Sequence, residues 1–306
     1  MTLEQLKIFL EVARLEHVTR AAEALHLTQS AVSAAISALE ARHGVILFDR
    51  VGRRIALTEA GRLFVDEARA VMERARAAEL ALADLGGSAS GVLRVHASQT
   101  VASYWLPSRL VAYHERFPRV DLRLIVGNTQ SAVEAVVTGE ADLAVVEGEV
   151  VVPDLQRSTV AEDRLVLVVG RRHGWADGRK LVASDLLETN WIMREAGSGT
   201  RAAFESQLSS LGLDPQALSV VLEMPSNEAA MAAVEAGLSA TVLSSRATQF
   251  HSMAGRLHVV DFPMPLRRFS AAYHSERHVT RALRSMLDLL DEDFGGEGLA
   301  GVAGTG

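Results

Sequence analysis

Residues 28–39 read Thr28-Gln29-Ser30-Ala31-Val32-Ser33-Ala34-Ala35-Ile36-Ser37-Ala38-Leu39. Val32, Ile36 and Leu39 recur at steps of four and three, the spacing of one helix face. The other face carries Gln29, Ser30, Ser33 and Ser37, with no acid anywhere between Thr28 and Leu39. A solvated helix face is normally rich in Lys and Glu. Short uncharged side chains instead let a helix backbone approach base edges in a major groove, and Ala34 can meet a thymine methyl. Thr28 is the expected N-cap.

The flanking segments narrow this reading. A first helix is expected from Thr2, with Gln5 completing a capping box and Leu3, Leu6, Leu10 and Ala13 as its apolar stripe. A second is expected near Thr19, burying Ala21, Ala22 and Leu25. The turn His26-Leu27 then leads into the segment above. Two short helices joined by a tight turn give a helix-turn-helix, although periodicity alone leaves an ordinary three-helix packing unit open. Residues 47–50 and 54–57 read as two short strands around Val51-Gly52-Arg53. Such a hairpin beside a helix-turn-helix is a wing, whose Arg53 and Arg54 can reach phosphates or a minor groove. A plain surface Arg pair is the simpler alternative. Ser37 would also hold a phosphate.

Charge fits this placement only when the chain is divided. The net charge is −7 over 306 residues. Residues 1–58 hold seven Lys/Arg against six Asp/Glu, a net of +1, which leaves −8 on the remainder. The acidic excess therefore lies outside the candidate DNA-binding part. A net of +1 is weak, so affinity must come from several copies and a few placed arginines.

From Thr58 a long helical pattern carries Phe64, Ala68, Val71, Ala75, Ala78, Leu82 and Leu85 at alternating steps of four and three. This is a coiled-coil seam. It predicts a dimerisation helix about 40 Å long, because no second heptad helix occurs in the chain. Gly86-Gly87-Ser88-Ala89-Ser90-Gly91 then reads as a linker.

Beyond the linker, strands are expected at 92–97, 121–126, 142–147, 164–169, 190–194, 219–224, 240–244, 257–261 and 269–273. Helices are expected at 104–117, 130–139, 199–211, 227–236 and 276–293. Alternation of this kind predicts an α/β domain with a parallel sheet covered on both faces. Ligands in such sheets lie beyond the carboxyl ends of strands. The candidates there are Ser98, Gln99 and Thr100; Asn128 and Thr129; Glu147; and Arg194 followed by Gly197-Ser198-Gly199-Thr200-Arg201. The last segment opens a helix, and its amides, hydroxyls and arginines suit a small anion. A simple helix cap is the alternative.

Other chemistries find no support. The chain has no cysteine, which excludes disulfides and thiol nucleophiles and fits a reducing cytoplasm. Gly197-Ser198-Gly199 does not match a nucleophile elbow. His114-Glu115 lacks the second histidine of a zinc motif, since position 118 is Pro. No catalytic residue, metal ligand or cofactor is implied. The first residues lack the pattern of a secretory leader, and no run of 18 apolar residues occurs, so neither secretion nor a membrane location is expected.

With these residues in hand, the chain resembles the LysR-type transcriptional regulators. The resemblance rests on Ala21-Ala22, Leu25, Thr28 to Ser33, Ile36, Leu39-Glu40, Gly44, Leu47-Phe48, Arg50 and Leu57-Thr58-Glu59-Ala60-Gly61. It implies a winged helix-turn-helix over 1–58, a linker helix and hinge over 59–90 and an effector-binding domain over 91–293. That domain would have two lobes, like periplasmic binding proteins. Lobe I would be 91–161 with 268–293 and lobe II 162–267, with a disordered tail at 294–306. It further implies an interrupted palindromic site on double-stranded DNA, a homodimer or homotetramer, contact with RNA polymerase and an effector between the lobes. Residues 97–100, 126–129, 146–148 and 194–201 look most like the branch governing sulfur assimilation and carbon fixation, with Gln99 where many of that branch have Thr. A solute-binding protein of the same two-lobed fold is the competing reading, as is an enzyme acting on a small acid.

Overall fold

The computed structural model describes residues 1–51, 54–84, 89–148 and 151–300, and only the backbone at 50, 51, 54, 80, 81, 83, 84 and 293–300. The chain divides into two compact units, Met1–Gly86 and Gly87–Gly306.

The first unit opens with α1 (Leu3–Leu15), capped as the sequence predicts: Thr2 and Gln5 form a reciprocal capping box. Its buried face differs from the expected stripe. Leu6, Ile8, Phe9 and Val12 are buried, while Leu3 is exposed. Helix α2 (Val18–Ala24) starts one residue earlier than expected, capped by His17. His26 then takes a left-handed φ of 55°, which turns the chain sharply into α3 (Gln29–His43). Strands β1 (Phe48–Val51) and β2 (Arg54–Leu57) pair antiparallel, Val51 opposite Arg54. Helix α4 (Glu59–Asp84) follows.

One core serves all of these elements. Phe9 lies between Phe48 and Phe64, with ring centroids 5.5 and 4.9 Å away. Val32, Ile36 and Leu39 join it from α3, and Ala68 is fully buried in it. This corrects part of the predicted seam. Phe64 and Ala68 are covered by the chain's own α1 rather than left for a partner. Farther along α4, Ala75 is half-buried, and Val71, Ala78 and Leu82 are exposed. Leu85 lies outside the described residues, as do Gly86 to Ser88 of the predicted linker.

The second unit is a single twisted sheet divided into two halves. In chain order come β3 (Gly91–Ser98), α5 (Gln99–Tyr104), α6 (Leu106–Arg116), β4 (Val120–Gly127), α7 (Thr129–Thr138) and β5 (Leu143–Glu147). Next are β6 (Leu155–Gly170), β7 (Asn190–Arg194), α8 (Gly199–Ser210), β8 (Ser219–Met224) and α9 (Asn227–Ala236). The unit ends with β9 (Ser239–Ser244), α10 (Ser245–Met253), β10 (Leu257–Val260), β11 (Leu266–His274) and α11 (Arg281–Ala300).

The strand order is β4-β3-β5-β11-β6-β9-β7-β8, with β10 also on β6. The sheet is mixed, not parallel as the alternation predicts. Pairs β3/β4, β3/β5, β7/β8 and β7/β9 are parallel, but β6 and β11 run antiparallel to each other and to their other neighbours. The reason is the double crossing. Strand β6 carries the chain out of the first half, β11 carries it back, and two such neighbours must be antiparallel. Strand β6 pairs with β11 through Arg164 and with β9 from Leu165 onward. The chain thus changes lobe at 164/165 and just before Leu266, against expected crossings near 161 and 267.

Each half has helices on both faces. In lobe I, Val95, Trp105, Tyr113 and Phe269 pack with Met286 and Leu290 of α11, while Ala132 and Val136 of α7 cover Ala144 and Val146. In lobe II, Trp191, Phe204 and Leu208 fill one face, and Met231 and Val234 of α9 the other. Three further differences from the sequence reading have local causes. The helix expected over 104–117 breaks at Trp105, because Pro107 lacks an amide hydrogen and crowds the preceding turn. Residues 155–159 read Leu-Gln-Arg-Ser-Thr, without apolar alternation, yet belong to β6. The backbone stays helical to Ala300, beyond the tail expected from 294; residues 301–306 lie outside the described residues.

Candidate functional site

The first unit presents one polar helix face. Thr28, Gln29, Ser30, Ser33, Ala34 and Ser37 are all exposed along α3. Thr28 Oγ1 accepts from Ala31 N at 3.2 Å and lies 3.0 Å from Ser30 Oγ, so it starts the helix and orients its neighbour. Arg53 lies outside the described residues, and Arg54 is placed by its backbone alone, at the tip of β2. Glu40, part of the family resemblance but given no role from the sequence, has a structural one here. Its Oε1 accepts from Leu47 N at 2.8 Å and Phe48 N at 3.3 Å, which ties the wing to the end of α3. Thr58 holds the other end, donating to Ile46 O at 2.8 Å and accepting from Gly61 N at 2.9 Å.

In the second unit, the predicted effector residues other than Arg201 lie where the two lobes meet. Ser98, Thr100, Glu147, Arg194, Ser198 and Thr200 are at most 3% exposed. Lobe I contributes the ends of β3 and β5 and the start of α7; lobe II contributes the end of β7 and the start of α8. Asn128 Nδ2 donates to Ala196 O at 3.2 Å, and Gln130 N donates to Gly197 O at 3.2 Å. Thr129 Oγ1 donates to Glu147 O at 3.1 Å. Gly199 fits against lobe I only because it has no side chain. A Cβ there would stand 2.5 Å from Glu147 O and 2.6 Å from Thr129 Oγ1.

Glu147 is the centre of this arrangement. Its carboxylate accepts from Ser98 Oγ and from Thr200 Oγ1 at 3.4 Å, and Arg267 Nη1 lies 3.7 Å away. Residues predicted to share one ligand are thus bonded to each other. Ser198 heads α8 without a side-chain cap bond, and its buried hydroxyl has no hydrogen-bond partner among the described residues.

The arginines are less available than the sequence suggests. Arg194 is bonded to Glu195, to Asn227 Oδ1 at 2.6 Å and to Gln99 Oε1 at 3.4 Å. Arg201 does not converge on the cleft. It turns to Glu205 at 2.7 Å and Glu223 at 2.6 Å. Arg267, Asp163, Asn227, Tyr104 and Glu228 belong to the site region and were not singled out. Arg267 precedes the strand expected at 269–273, and Asp163 the one expected at 164–169, so neither was read as a strand residue. A buried charge in an apolar strand was the available signal.

Known proteins share both units. Residues 3–62 match the family described as "Bacterial regulatory helix-turn-helix protein, lysR family", and residues 86–295 match "LysR substrate binding domain". The chain belongs to the LysR family of transcriptional regulators.

As a LysR-family member it is a DNA-binding transcriptional regulator with an effector-binding domain, which removes the solute-binding reading. It is 34% identical to the uncharacterized HTH-type transcriptional regulator YeiE of Escherichia coli K12 over 293 residues, covering 95% of this chain and 97% of that one. It is also 34% identical to the RuBisCO operon transcriptional regulator of Allochromatium vinosum over 261 residues, 85% of each chain. That relative lies on the carbon-fixation side of the branch read from residues 97–100 and 194–201. Among solved structures, the CcmR regulatory domain of Synechocystis PCC6803 in complex with 2-PG has a TM-score of 0.61 and 26% identity, over 67% of this chain and 98% of that one. Among the described residues of this LysR-type chain, no helix is long and apolar enough to cross a membrane.

Proposed function

We propose that this LysR-type regulator is a cytoplasmic, non-enzymatic protein that reads promoter DNA as a dimer or tetramer and responds to a small anion at the start of α8. The observation that carries the reading is the convergence on Glu147. The hydroxyls of Ser98 and Thr200 and the guanidinium of Arg267 are arranged around a carboxylate, which is itself a small anion. The unpartnered Ser198 hydroxyl adds a further donor at a helix N-terminus, which favours negative charge. An entering anion takes the Glu147 position and displaces its carboxylate. This shifts the lobes only insofar as the anion prefers one arrangement of them. The 2-PG bound by CcmR supports a ligand of this class.

On the DNA side, Gln29, Ser30, Ser33 and Ala34 meet base edges, while Ser37, Arg53 and Arg54 hold phosphates. One copy of α3 offers few polar atoms, so specificity comes from paired copies on an interrupted palindrome. The exposed Val71, Ala78 and Leu82 of α4 support pairing through this helix.

Calorimetry with sulfate, sulfite, phosphate and 2-PG tests the reading. At least one anion binds the wild type, Thr200→Val weakens it tenfold or more, and Glu147→Gln strengthens it by removing the competing charge. DNA affinity of Thr200→Val without anion stays at the wild-type value. Failure of all four anions to bind overturns the anion reading.

A further inference from the structure

Helix α5 of lobe I and the start of α9 in lobe II are joined by bonds between protein groups. Gln99 Nε2 donates to Glu228 Oε2 at 2.7 Å, and Gln99 Oε1 accepts from Asn227 N at 3.0 Å. Asn227 Nδ2 donates to Thr100 Oγ1 at 3.1 Å, and Tyr104 Oη donates to Glu228 Oε1 at 2.5 Å. Asn227 and Thr100 are fully buried, Tyr104 is half-buried and Glu228 is exposed. The bonds therefore run from the solvent edge inward to Thr100, beside the groups that converge on Glu147.

We propose that Tyr104 and Glu228 form a gate that limits the effector to an ion of a few heavy atoms. A tetrahedral oxyanion needs only the donors around Glu147 and is held with the gate shut. A ligand carrying a longer tail past Thr100 meets the α5–α9 bonds and must break them. The proposal rests on the anion reading of the site and names the size class of its ligand.

The chemistry of the pair suits a gate. Burial pushes the Tyr104 hydroxyl well above its ordinary range, and the bond to Glu228 adds to this against a small opposing pull from Arg194. It stays a donor at any physiological pH. Burial alone would push Glu228 up, but bonds from Tyr104, its own backbone amide, Ser226 and Gln99 outweigh this and hold it below the usual carboxylate range. It stays an acceptor. The bond therefore does not depend on pH near neutrality.

The test is calorimetric titration of the full chain with inorganic sulfate, inorganic phosphate and glucose 6-phosphate, which offers a phosphate head on a bulky tail. Wild type should prefer an inorganic anion to glucose 6-phosphate at least tenfold. Tyr104→Ala should narrow that ratio about tenfold, and Tyr104→Phe, which loses only the hydroxyl, about threefold. Glu228→Gln keeps one acceptor, for Tyr104 Oη, but sets an amide nitrogen against Gln99 Nε2, so it should narrow the ratio less than Tyr104→Ala does. No size preference in wild type, or an unchanged ratio in Tyr104→Ala, overturns the gate. If no anion binds any of these proteins, the anion reading itself fails and the gate falls with it, whereas binding without a size preference overturns the gate alone.

Discussion

Arg267 and Asp163 meet across the two strands that carry the chain between the lobes, with Nε and Nη2 of Arg267 each 2.8 Å from Asp163 Oδ2. Both are buried. Asp163 also accepts from Ser244 Oγ at 2.7 Å, and Arg267 Nη1 donates to Thr200 Oγ1 at 2.9 Å. The crossing strands are therefore linked, through one arginine, to the hydroxyl that faces Glu147.

Removing Arg267 takes the nearest counter-ion from buried Asp163, leaving Arg246 Nε at 3.7 Å, and takes the arginine 3.7 Å away from buried Glu147. Arg267→Met should lower stability of the second unit by about 3–5 kcal/mol. The double variant Arg267→Met/Asp163→Leu should recover much of that loss. Chemical denaturation of the three proteins checks this; a double variant no more stable than Arg267→Met refutes it.

Gly61 is required by a backbone atom. A Cβ at this position would stand 2.2 Å from Leu47 O, and a carbonyl held by Thr58 cannot swing aside as a flexible side chain would. Gly61→Ala should cost about 1–3 kcal/mol and shift the wing against α3. Thermal melting and DNA affinity should fall together; a wild-type melting temperature would refute the clash.

Two histidines make the second unit sensitive to mild acid. Burial pushes His173 below its ordinary value, with Arg179 adding to the effect, and its Nδ1 accepts from Trp175 N at 3.1 Å. Burial likewise lowers His96, against an upward pull from Glu140, and its Nδ1 has no partner among the described residues. The unfolded chain titrates near 6.5 and so binds more protons than the folded chain below that pH. The stability is present above pH 6.5 and is lost as pH falls toward the lower folded values. Melting temperature should drop from pH 7.5 to 5.5, and His173→Asn, which keeps an acceptor for Trp175 N, should flatten the drop.

Base reading and phosphate holding separate by salt. Gln29→Ala should lower affinity for the operator by about 1–3 kcal/mol and leave nonspecific binding alone. Arg53→Ala should weaken all sequences alike and reduce the salt slope by about one unit. Titrations at several salt concentrations distinguish the two, and an unchanged slope in Arg53→Ala removes its phosphate contact.

What could be read from the sequence was local. Thr2 with Gln5 and Thr28 with Ala31 are bonds over three residues, so spacing alone reveals them. The two strands of the wing pair within ten residues. Strand-end positions such as Ser98, Glu147 and Arg194 were legible because the α/β pattern itself marks where strands end.

What a buried face packs against, and which partner a polar atom takes, is not written in periodicity. The stripe on α4 included Phe64 and Ala68, but only the fold placed Phe64 against Phe9, 55 positions earlier, in the unit's own core. The sequence offered Glu147, Ser98 and Thr200 as three ligands for one anion. The tertiary structure made one of them the anion and the other two its donors, 49 and 53 residues away. Sequence patterns record whether a residue is buried or exposed, whereas bonds between distant segments depend on how the sheet is ordered, and that order was settled by β6 and β11 crossing between the lobes.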